Sequence, residues 1–341
     1  MLGMHTGTSV FTKWLGVICL ASGALLCCQS AVQPVHASSA SAYAASGLIR
    51  NLSIPVGGLT RTFDVFLPTQ IPATPVPLVF LLHGHGGDAD TLTGMSGKKA
   101  PFKIWQDIAQ REKLILVFPN GTIGPDGKRG WNDGRADSST NPTVDDIAFI
   151  EALVTEANTY FNIDADQIFA AGVSNGGGMA LRIGSELAHH FDAICAVVMN
   201  MPAQPESGPP PVAVSTLFVN GTDDPLVPWN GGAVGKANSG RGTVLSAQDS
   251  VMYWVQHNQT KLTPTVVDLP NLDKWDKSTV RYHQYDGGLN NSRVGMYQVS
   301  GGGHATPSRA ERYAFVWELI VGRQNHDIEC ADAIWNFFQG G

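Results

Sequence analysis

A serine held between glycines is the feature of this sequence that most constrains its fold. Gly172, Ser174 and Gly176 form a G-x-S-x-G pattern; the apolar run at 167–169 precedes it, and the helix-forming run at 180–183 follows it. This order predicts a strand, a tight turn and a helix, with the serine oxygen exposed at the apex of the turn. Glycines on both sides let the strand and the helix approach without Cβ clashes.

This pattern is weak evidence when it stands alone. The chain has 38 glycines, and a chance match is expected on the order of 0.3 times in a glycine-rich chain of this length. A serine nucleophile also needs a base and an acid, so the rest of the chain decides what Ser174 does.

An acid and a base follow the serine along the chain. Asp223 and Asp224 come after the apolar run 214–220, and His304 follows three glycines after a short strand pattern. The order Ser174, Asp224, His304 is the order of nucleophile, acid and base in α/β-hydrolases. Each residue follows a predicted strand, at the carboxyl edge where open α/β sheets bind ligands. The alternatives are a turn-forming Asp-Asp-Pro and a surface histidine.

Apolar runs alternate with helical patterns along the rest of the chain. The predicted strands lie at 48–55, 61–67, 76–82, 114–118, 193–200 and 214–220, and the predicted helices at 101–112, 143–160 and 175–190. Thr143 is the expected start of a capping box. Continuous apolar strands separated by helices indicate a parallel sheet covered on both faces. The sequence therefore predicts an α/β-hydrolase fold, with a mostly parallel central sheet and helices on both faces, as one catalytic domain at 47–341.

The loop after the 76–82 strand is rich in glycine and contains His83 and His85. In the predicted fold this loop supplies a backbone N–H that binds the oxyanion, together with the N–H of the residue after the nucleophile. We expect these two donors at His85 and Asn175. The alternative is that His83 and His85 bind a metal ion, although no carboxylate lies close in sequence to complete such a site.

The first 37 residues have the pattern of a secretory signal peptide. An uncharged run at 14–28 is followed by Val35-His36-Ala37, which resembles a cleavage site. The run is too short to span a bilayer comfortably, since a span needs about 20 residues. We therefore expect a secreted protein with a signal peptide at 1–37, a flexible Ala/Ser-rich lead at 38–46 and no stable membrane insertion after cleavage. The alternatives are a periplasmic protein and a lipid anchor at Cys27.

Composition excludes several classes of partner. The formal net charge is -7 and no run of lysine or arginine stands out, so nucleic acid is not expected as a partner. No C-x-x-C pair follows residue 37, so a structural zinc site is not indicated.

Cys195 and Cys330 remain after cleavage, and whether they pair is open. We expect a monomer.

These motifs resemble a known family. The chain is similar to the secreted α/β-hydrolase esterases that include poly(3-hydroxybutyrate) depolymerases and the feruloyl and acetyl xylan esterases. The resemblance is carried by His83-Gly84, Gly130-Trp131-Asn132-Asp133, Val144-Asp145-Asp146, Ser174-Asn175-Gly176-Gly177, the run 221–228 and Gly302-Gly303-His304. It implies that the acid is the aspartate before proline, Asp224. This chain departs from the family at Asn220, where histidine is frequent, and at Thr306, where tryptophan is frequent.

Motifs and resemblance together predict a secreted serine esterase that needs no metal or organic cofactor. Its expected partner is an ester substrate, either a polyhydroxybutyrate-type polyester or oligomer, or a feruloyl or acetyl group on a plant polysaccharide. Two alternatives stay open, a serine peptidase on the same scaffold and a non-catalytic surface-binding protein. Trp131 lies in a Gly/Asp-rich segment and is expected to contact the substrate; the alternative is an indole packed in the core.

Overall fold

Strands and helices alternate along the part of the chain that the computed structural model describes, which is Tyr43 and residues 45–341 except Ala237. The predicted signal peptide and most of the predicted lead lie outside these residues. The strands are β1 (Gly47–Val56), β2 (Leu59–Leu67), β3 (Val76–Leu82), β4 (Ile115–Pro119), β5 (Thr122–Ile123), β6 (Arg129–Gly130), β7 (Ile163–Val173), β8 (Ala193–Val197), β9 (Ser215–Gly221), β10 (Gly232–Ala233), β11 (Thr243–Val244), β12 (Thr265–Asp268), β13 (Thr279–Tyr285) and β14 (Val294–Ser300). The α-helices are α1 (Ala89–Thr93), α2 (Trp105–Glu112), α3 (Asp146–Tyr160), α4 (Asn175–Glu186), α5 (Ala247–Asn258), α6 (Phe315–Val321) and α7 (Cys330–Phe338).

Ten of these strands form one mixed sheet in the order β1-β2-β4-β3-β7-β8-β9-β14-β13-β12. The six central strands, from β4 to β14, run parallel to one another. The outer pairs are antiparallel: β1 and β2 at one edge, β13 and β12 at the other. The predicted mostly parallel sheet of an α/β-hydrolase is therefore confirmed, with antiparallel strands added at both edges.

The central strands are mostly apolar because helices cover both of their faces, although β7 begins with the polar run 164–167. Along β3, Leu78, Phe80 and Leu82 enter one core layer and the intervening residues enter the other. Helices α3, α4 and α5 pack on the first layer, and α2 and α7 pack on the second. The carboxyl ends of the parallel strands stay uncovered by these helices, which is where ligands bind in open α/β sheets.

Three details of the predicted elements are corrected. The helix predicted at 101–112 is a 3-10 turn, Pro101–Ile104, followed by α2. The cap of α3 is Asp145, whose carboxylate accepts the N–H of Ala148 at 2.9 Å, and not Thr143. The antiparallel pair β12 and β13 was not predicted.

Cys195 and Cys330 are both buried free thiols in the second core layer. Burial raises the pKa of each thiol above its ordinary value. The question of their pairing is therefore answered, since the structure contains no disulfide between them. None of the helices within the described residues is long and apolar enough to cross a bilayer.

Candidate active site

Ser174 lies at a sharp turn between β7 and α4. Its backbone has φ 56° and ψ -123°, in the region that residues with a Cβ rarely adopt. A Cβ at Gly172 would overlap the backbone of Gly176, and a Cβ at Gly176 would overlap the carbonyl of Leu82. The two glycines therefore let α4 start immediately above β3 and β7, and this contact fixes the serine at the sheet edge.

The predicted acid and base meet in a hydrogen bond. His304 Nδ1 lies 2.7 Å from Asp224 Oδ2, and the Asp224 side chain is only 2% exposed. The other carboxylate oxygen accepts the N–H groups of Leu226 and Val227 at 2.7 and 2.8 Å. Asp223 is exposed, with its carboxylate bonded to the Thr222 hydroxyl. Of the two adjacent aspartates, the structure thus brings Asp224 to the imidazole.

The loops that carry Asp224 and His304 are fastened to each other and to α6. The N–H of Asp223 donates to Gly302 O at 2.9 Å, and the N–H of His304 donates to Val321 O at 2.5 Å. These bonds set the position of the imidazole from two sides. Within the described residues the Ser174 hydroxyl makes no hydrogen bond, so the acid–base pair is formed while the bond from serine to base is not. Catalytic hydrogen bonds are often long without substrate and tighten in the complex.

Two backbone N–H groups beside Ser174 have no acceptor among the described residues. In the loop after β3, the N–H of Gly86 donates to Arg129 O at 2.7 Å and that of Gly87 donates to Gly84 O at 3.0 Å, whereas the N–H of His85 has no partner. Asn175 is the first residue of α4, where an N–H lacks an intrahelical acceptor. Gly84 brings the two together, because a Cβ there would lie 3.5 Å from Ser174 Cβ.

His83 is a buried structural residue. Its Nε2 accepts the N–H of Gly121 at 3.0 Å, and its Nδ1 donates to Gly84 O at 2.8 Å. Burial lowers the pKa of His83 to about 4, against an ordinary value of 6.5, so the ring is neutral. Both nitrogens are occupied, which contradicts the alternative that His83 and His85 form a metal pair.

His85 also uses its side chain within the protein, since its Nε2 lies 2.8 Å from Asp126 Oδ2. Among the described residues, one group of side chains has the spacing of metal ligands: Glu151, His189 and His190. Glu151 belongs to α3 and the two histidines follow α4, so none of the three lies on the loops that carry Ser174, Asp224 or His304.

The structure contradicts the prediction that Trp131 contacts the substrate. Its side chain is 0% exposed, and its indole Nε1 donates to His83 O at 2.9 Å. The ring also packs on the His83 imidazole, with centroids 4.9 Å apart. The core-packed alternative is therefore correct, and the indole supports the loop that carries His85.

A role that the sequence did not reveal belongs to the side chain of Asn175. Its Oδ1 accepts the N–H of Trp131 at 2.7 Å and its Nδ2 donates to Asp133 at 2.7 Å. Asp133 is buried and is held in turn by Arg135 and Asn141. This network ties the start of α4 to the segment 130–141. The sequence signal for this network is the Gly-Trp-Asn-Asp motif, which contributed to the resemblance but from which no hydrogen-bonding role was predicted.

A mainly apolar cavity of about 520 Å³ opens at the loop that carries His85 and at Val173, the residue before Ser174. Its lining includes the loop 84–87, Lys98, Lys99, Phe102, Val173, Thr306, Tyr313 and Trp317. Thr306 stands where tryptophan is frequent in the family that the motifs resemble, and the aromatic side chains of this lining are Phe102, Tyr313 and Trp317, the last of which belongs to α6.

Comparisons with known proteins find relatives that are named as esterases. No family model matches the chain. It is 27% identical to NocK of Nocardia uniformis subsp. tsuyamanensis, a protein named as an esterase, over 84% of this chain and 82% of that protein. It is 27% identical to feruloyl esterase C of Emericella nidulans over 59% of this chain and 68% of that protein. It is 28% identical to poly(3-hydroxybutyrate) depolymerase of Ralstonia pickettii over 44% of this chain, but spans only 31% of that protein.

Among solved structures, the acetyl xylan esterase from Aspergillus awamori superposes with a TM-score of 0.49 and 12% identity, over 76% of this chain and 94% of that one. The sequence relatives above are named as an esterase, a feruloyl esterase and a poly(3-hydroxybutyrate) depolymerase. These relatives confirm the resemblance stated from the motifs, and the chain is a carboxylic-ester hydrolase with the α/β-hydrolase fold.

Proposed function

We propose that this protein is a secreted serine esterase that transfers the acyl group of a carboxylic ester to water through Ser174, Asp224 and His304. The observation that carries the proposal is the 2.7 Å bond between His304 Nδ1 and Asp224 Oδ2, made at the same sheet edge as the Ser174 turn. Asp224 fixes the tautomer of the imidazole, so Nε2 is the nitrogen that accepts the serine proton.

The reaction has two halves. In the first, His304 takes the proton of Ser174 as the serine oxygen attacks the ester carbonyl, and it returns this proton to the departing alcohol. In the second, His304 takes a proton from water as the water oxygen attacks the acyl-enzyme, and it returns this proton to the Ser174 oxygen as the acid leaves. The free N–H groups of His85 and Asn175 stabilise the oxyanion in both halves. No metal or organic cofactor is required by this sequence of steps.

The proposed substrates are esters of polyhydroxybutyrate-type polyesters or oligomers, or feruloyl and acetyl esters of plant polysaccharides. Relatives carry the names feruloyl esterase and poly(3-hydroxybutyrate) depolymerase. The apolar cavity beside Ser174 supports the same range, because 520 Å³ is enough for a feruloyl ring or a short hydroxyalkanoate oligomer. Plant polysaccharides lie outside the cell that would secrete the enzyme, which agrees with the predicted signal peptide at 1–37.

The test is a substrate panel with the purified mature protein: p-nitrophenyl butyrate, methyl ferulate, acetylated xylan and amorphous poly(3-hydroxybutyrate), with butyryl p-nitroanilide as an amide. We expect ester hydrolysis and no amide hydrolysis. Clearing of the polyester identifies a depolymerase, whereas release of ferulate or acetate identifies a polysaccharide esterase.

Ser174→Ala is expected to lower turnover on the best substrate by about 10⁴- to 10⁶-fold and to abolish labelling by a fluorophosphonate probe. Ser96→Ala is the matched control, because Ser96 lines the same cavity but does not lie on the turn. Full activity in Ser174→Ala, or no activity of the wild type on any ester, would refute the proposed function.

A further inference from the structure

A second cavity, of about 440 Å³, lies against the other surface of the loop that carries His85. Both cavities are lined by His85, Gly86 and Gly87, so they meet at the proposed oxyanion loop. The first cavity is mainly apolar. The second is polar, and its lining contains three cationic side chains, Lys128, Arg129 and Arg241. The loop that carries His85 therefore borders both a mainly apolar cavity and a basic one.

Arg241 is the partly buried cation in this cavity whose side chain has no partner among the described residues, while Lys128, whose ammonium is also unpaired, is exposed. Its guanidinium makes no hydrogen bond or ion pair with any residue that the structure describes, although the side chain is half-buried. Its backbone is well held, since Arg241 O accepts a hydrogen bond from Arg135 at 2.6 Å. A half-buried guanidinium with all five donors free is poorly satisfied, and a planar carboxylate is the group that it binds best.

Apart from the exposed Lys128, the other charged groups around the cavity are already engaged. Arg129 donates to Gly121 O. The carboxylate of Asp88, which lines the cavity, accepts the N–H of Thr91 at the start of α1. Asp126 lies nearby and bonds His85. Three cations thus face one lining carboxylate, in a protein whose net charge is -7, and the uncommitted positive charge that is partly buried is that of Arg241.

Arg241 also lies close to the reaction centre. Its charge is the second cause, after burial, of the lowered pKa of His85. The charge of Arg241 therefore acts on His85, the residue whose N–H is proposed to bind the oxyanion. An anionic group bound by this guanidinium would be separated from the ester carbonyl by the loop that carries His85.

We propose that the basic cavity at Arg241 binds a carboxylate of the substrate, and that the enzyme prefers esters carrying a carboxylate a few bonds from the ester over neutral esters. This inference rests on the proposed function and names a substrate class for the same site. The carboxylate belongs to either the acyl part or the alcohol part of the ester, and the two arms of the experiment separate these cases.

The experiment compares matched esters in low-salt buffer. On the acyl side, mono-p-nitrophenyl adipate is compared with p-nitrophenyl hexanoate; on the alcohol side, 4-(butyryloxy)benzoate is compared with 4-(butyryloxy)benzamide. In one of the two pairs we expect the wild type to show a higher kcat/KM for the anionic member by about tenfold, and this preference to shrink at 0.5 M salt because exposed charges are screened.

Arg241→Gln is expected to lower kcat/KM about tenfold for the anionic member of that pair, mainly through KM, and to leave the neutral member unchanged. Arg241→Lys retains the charge and should keep part of the preference. Arg281→Gln is the matched control, because Arg281 is paired with Asp268 on the edge strand β12 and should affect neither substrate. Thermal unfolding midpoints check that each variant is folded.

Three results would overturn the inference. A loss of activity of equal size on both members of the pair would show that Arg241 supports the loop rather than an anion. An unchanged preference in Arg241→Gln, or a wild type without any preference, would show that the cavity does not bind the carboxylate. If the wild type hydrolyses no ester at all, the proposed function is refuted, and this inference, which depends on it, is refuted as well.

Discussion

At the scale of single residues, position in the fold separates two chemically identical neighbours. Asp223 and Asp224 are adjacent, yet one is exposed and the other is 2% exposed and bonded to His304. The difference comes from the N–H groups of Leu226 and Val227, which hold one oxygen of Asp224 and leave the other facing the imidazole.

This geometry predicts a large asymmetry between two conservative substitutions. In Asp224→Asn the amide can still accept the backbone N–H groups, but its NH₂ group faces His304 and forces the wrong imidazole tautomer. We expect kcat to fall by about 10⁴-fold. Asp223→Asn should keep activity within twofold. Steady-state kinetics on p-nitrophenyl butyrate measures both, and equal effects of the two changes would contradict the assignment of the acid.

The candidate residues were predictable from the sequence where the signal was local. Ser174, Asp224 and His304 each follow a strand directly, so chain order and one topological rule were enough to locate them. Trp131 was predicted wrongly because its neighbours in sequence are polar, whereas its contacts, His83 and Asn175, come from 48 and 44 residues away. Composition over a short window carries no information about such contacts.

At the scale of elements, helix α6 has two roles: it helps to position the base, and it lines the apolar cavity. Its last residue, Val321, accepts the N–H of His304, and so it helps to position the base. Its other large apolar side chains face the solvent: Phe315, Val316, Trp317, Leu319 and Ile320 are 51–73% exposed. Trp317 also lines the apolar cavity, so one short helix joins the base to the cavity wall.

Trp317→Ala should reveal whether this wall contributes to substrate binding. We expect kcat/KM to fall about tenfold for methyl ferulate and p-nitrophenyl octanoate, which corresponds to a loss of about 1.5 kcal/mol of apolar contact. The value for p-nitrophenyl acetate should change little, because its acyl group is too small to reach α6.

The matched control for this helix is Trp275→Ala. Trp275 is 92% exposed and does not line the cavity, so its loss should leave all three substrates unaffected. A uniform loss of activity in Trp317→Ala would instead indicate that α6 acts only through the His304 backbone.

The elements themselves were predictable to different degrees. The strands β3 and β8, most of β9 and the second half of β7 are buried on both faces and appear in the sequence as largely apolar runs. The edge pair β12 and β13 gives no such signal, because β12 is exposed along its whole length and β13 is mostly polar. These two strands form only because β14 offers a free edge, which is a property of the completed sheet.

At the scale of the whole molecule, burial of a neutral histidine links stability to pH. His83 has a pKa of about 4 in the folded protein and about 6.5 when the chain unfolds. Above pH 6.5 neither state binds the proton. Between pH 6.5 and 4 only the unfolded chain binds it, so the free energy of unfolding falls as the pH falls. The total loss is about 3 kcal/mol, at 1.36 kcal/mol for each pKa unit.

His83→Gln should therefore flatten the acid side of the stability profile. The glutamine cannot be protonated, so the stability difference between wild type and variant should shrink by about 3 kcal/mol from pH 7 to pH 4. Urea unfolding at a series of pH values measures this change. His189→Gln, at an exposed position, should give a curve parallel to that of the wild type. A parallel curve for His83→Gln would mean that His83 is not the residue responsible.

At Ser174, the residue that turnover requires stands in a backbone conformation that lowers the stability of the fold. A non-glycine residue in that backbone region costs on the order of 1–3 kcal/mol, and glycine would relieve the cost while removing the only oxygen that can attack the ester. A laboratory selection for heat resistance alone would thus reward the loss of the nucleophile. Libraries built on this scaffold should be sorted for survival and for product formation in the same round.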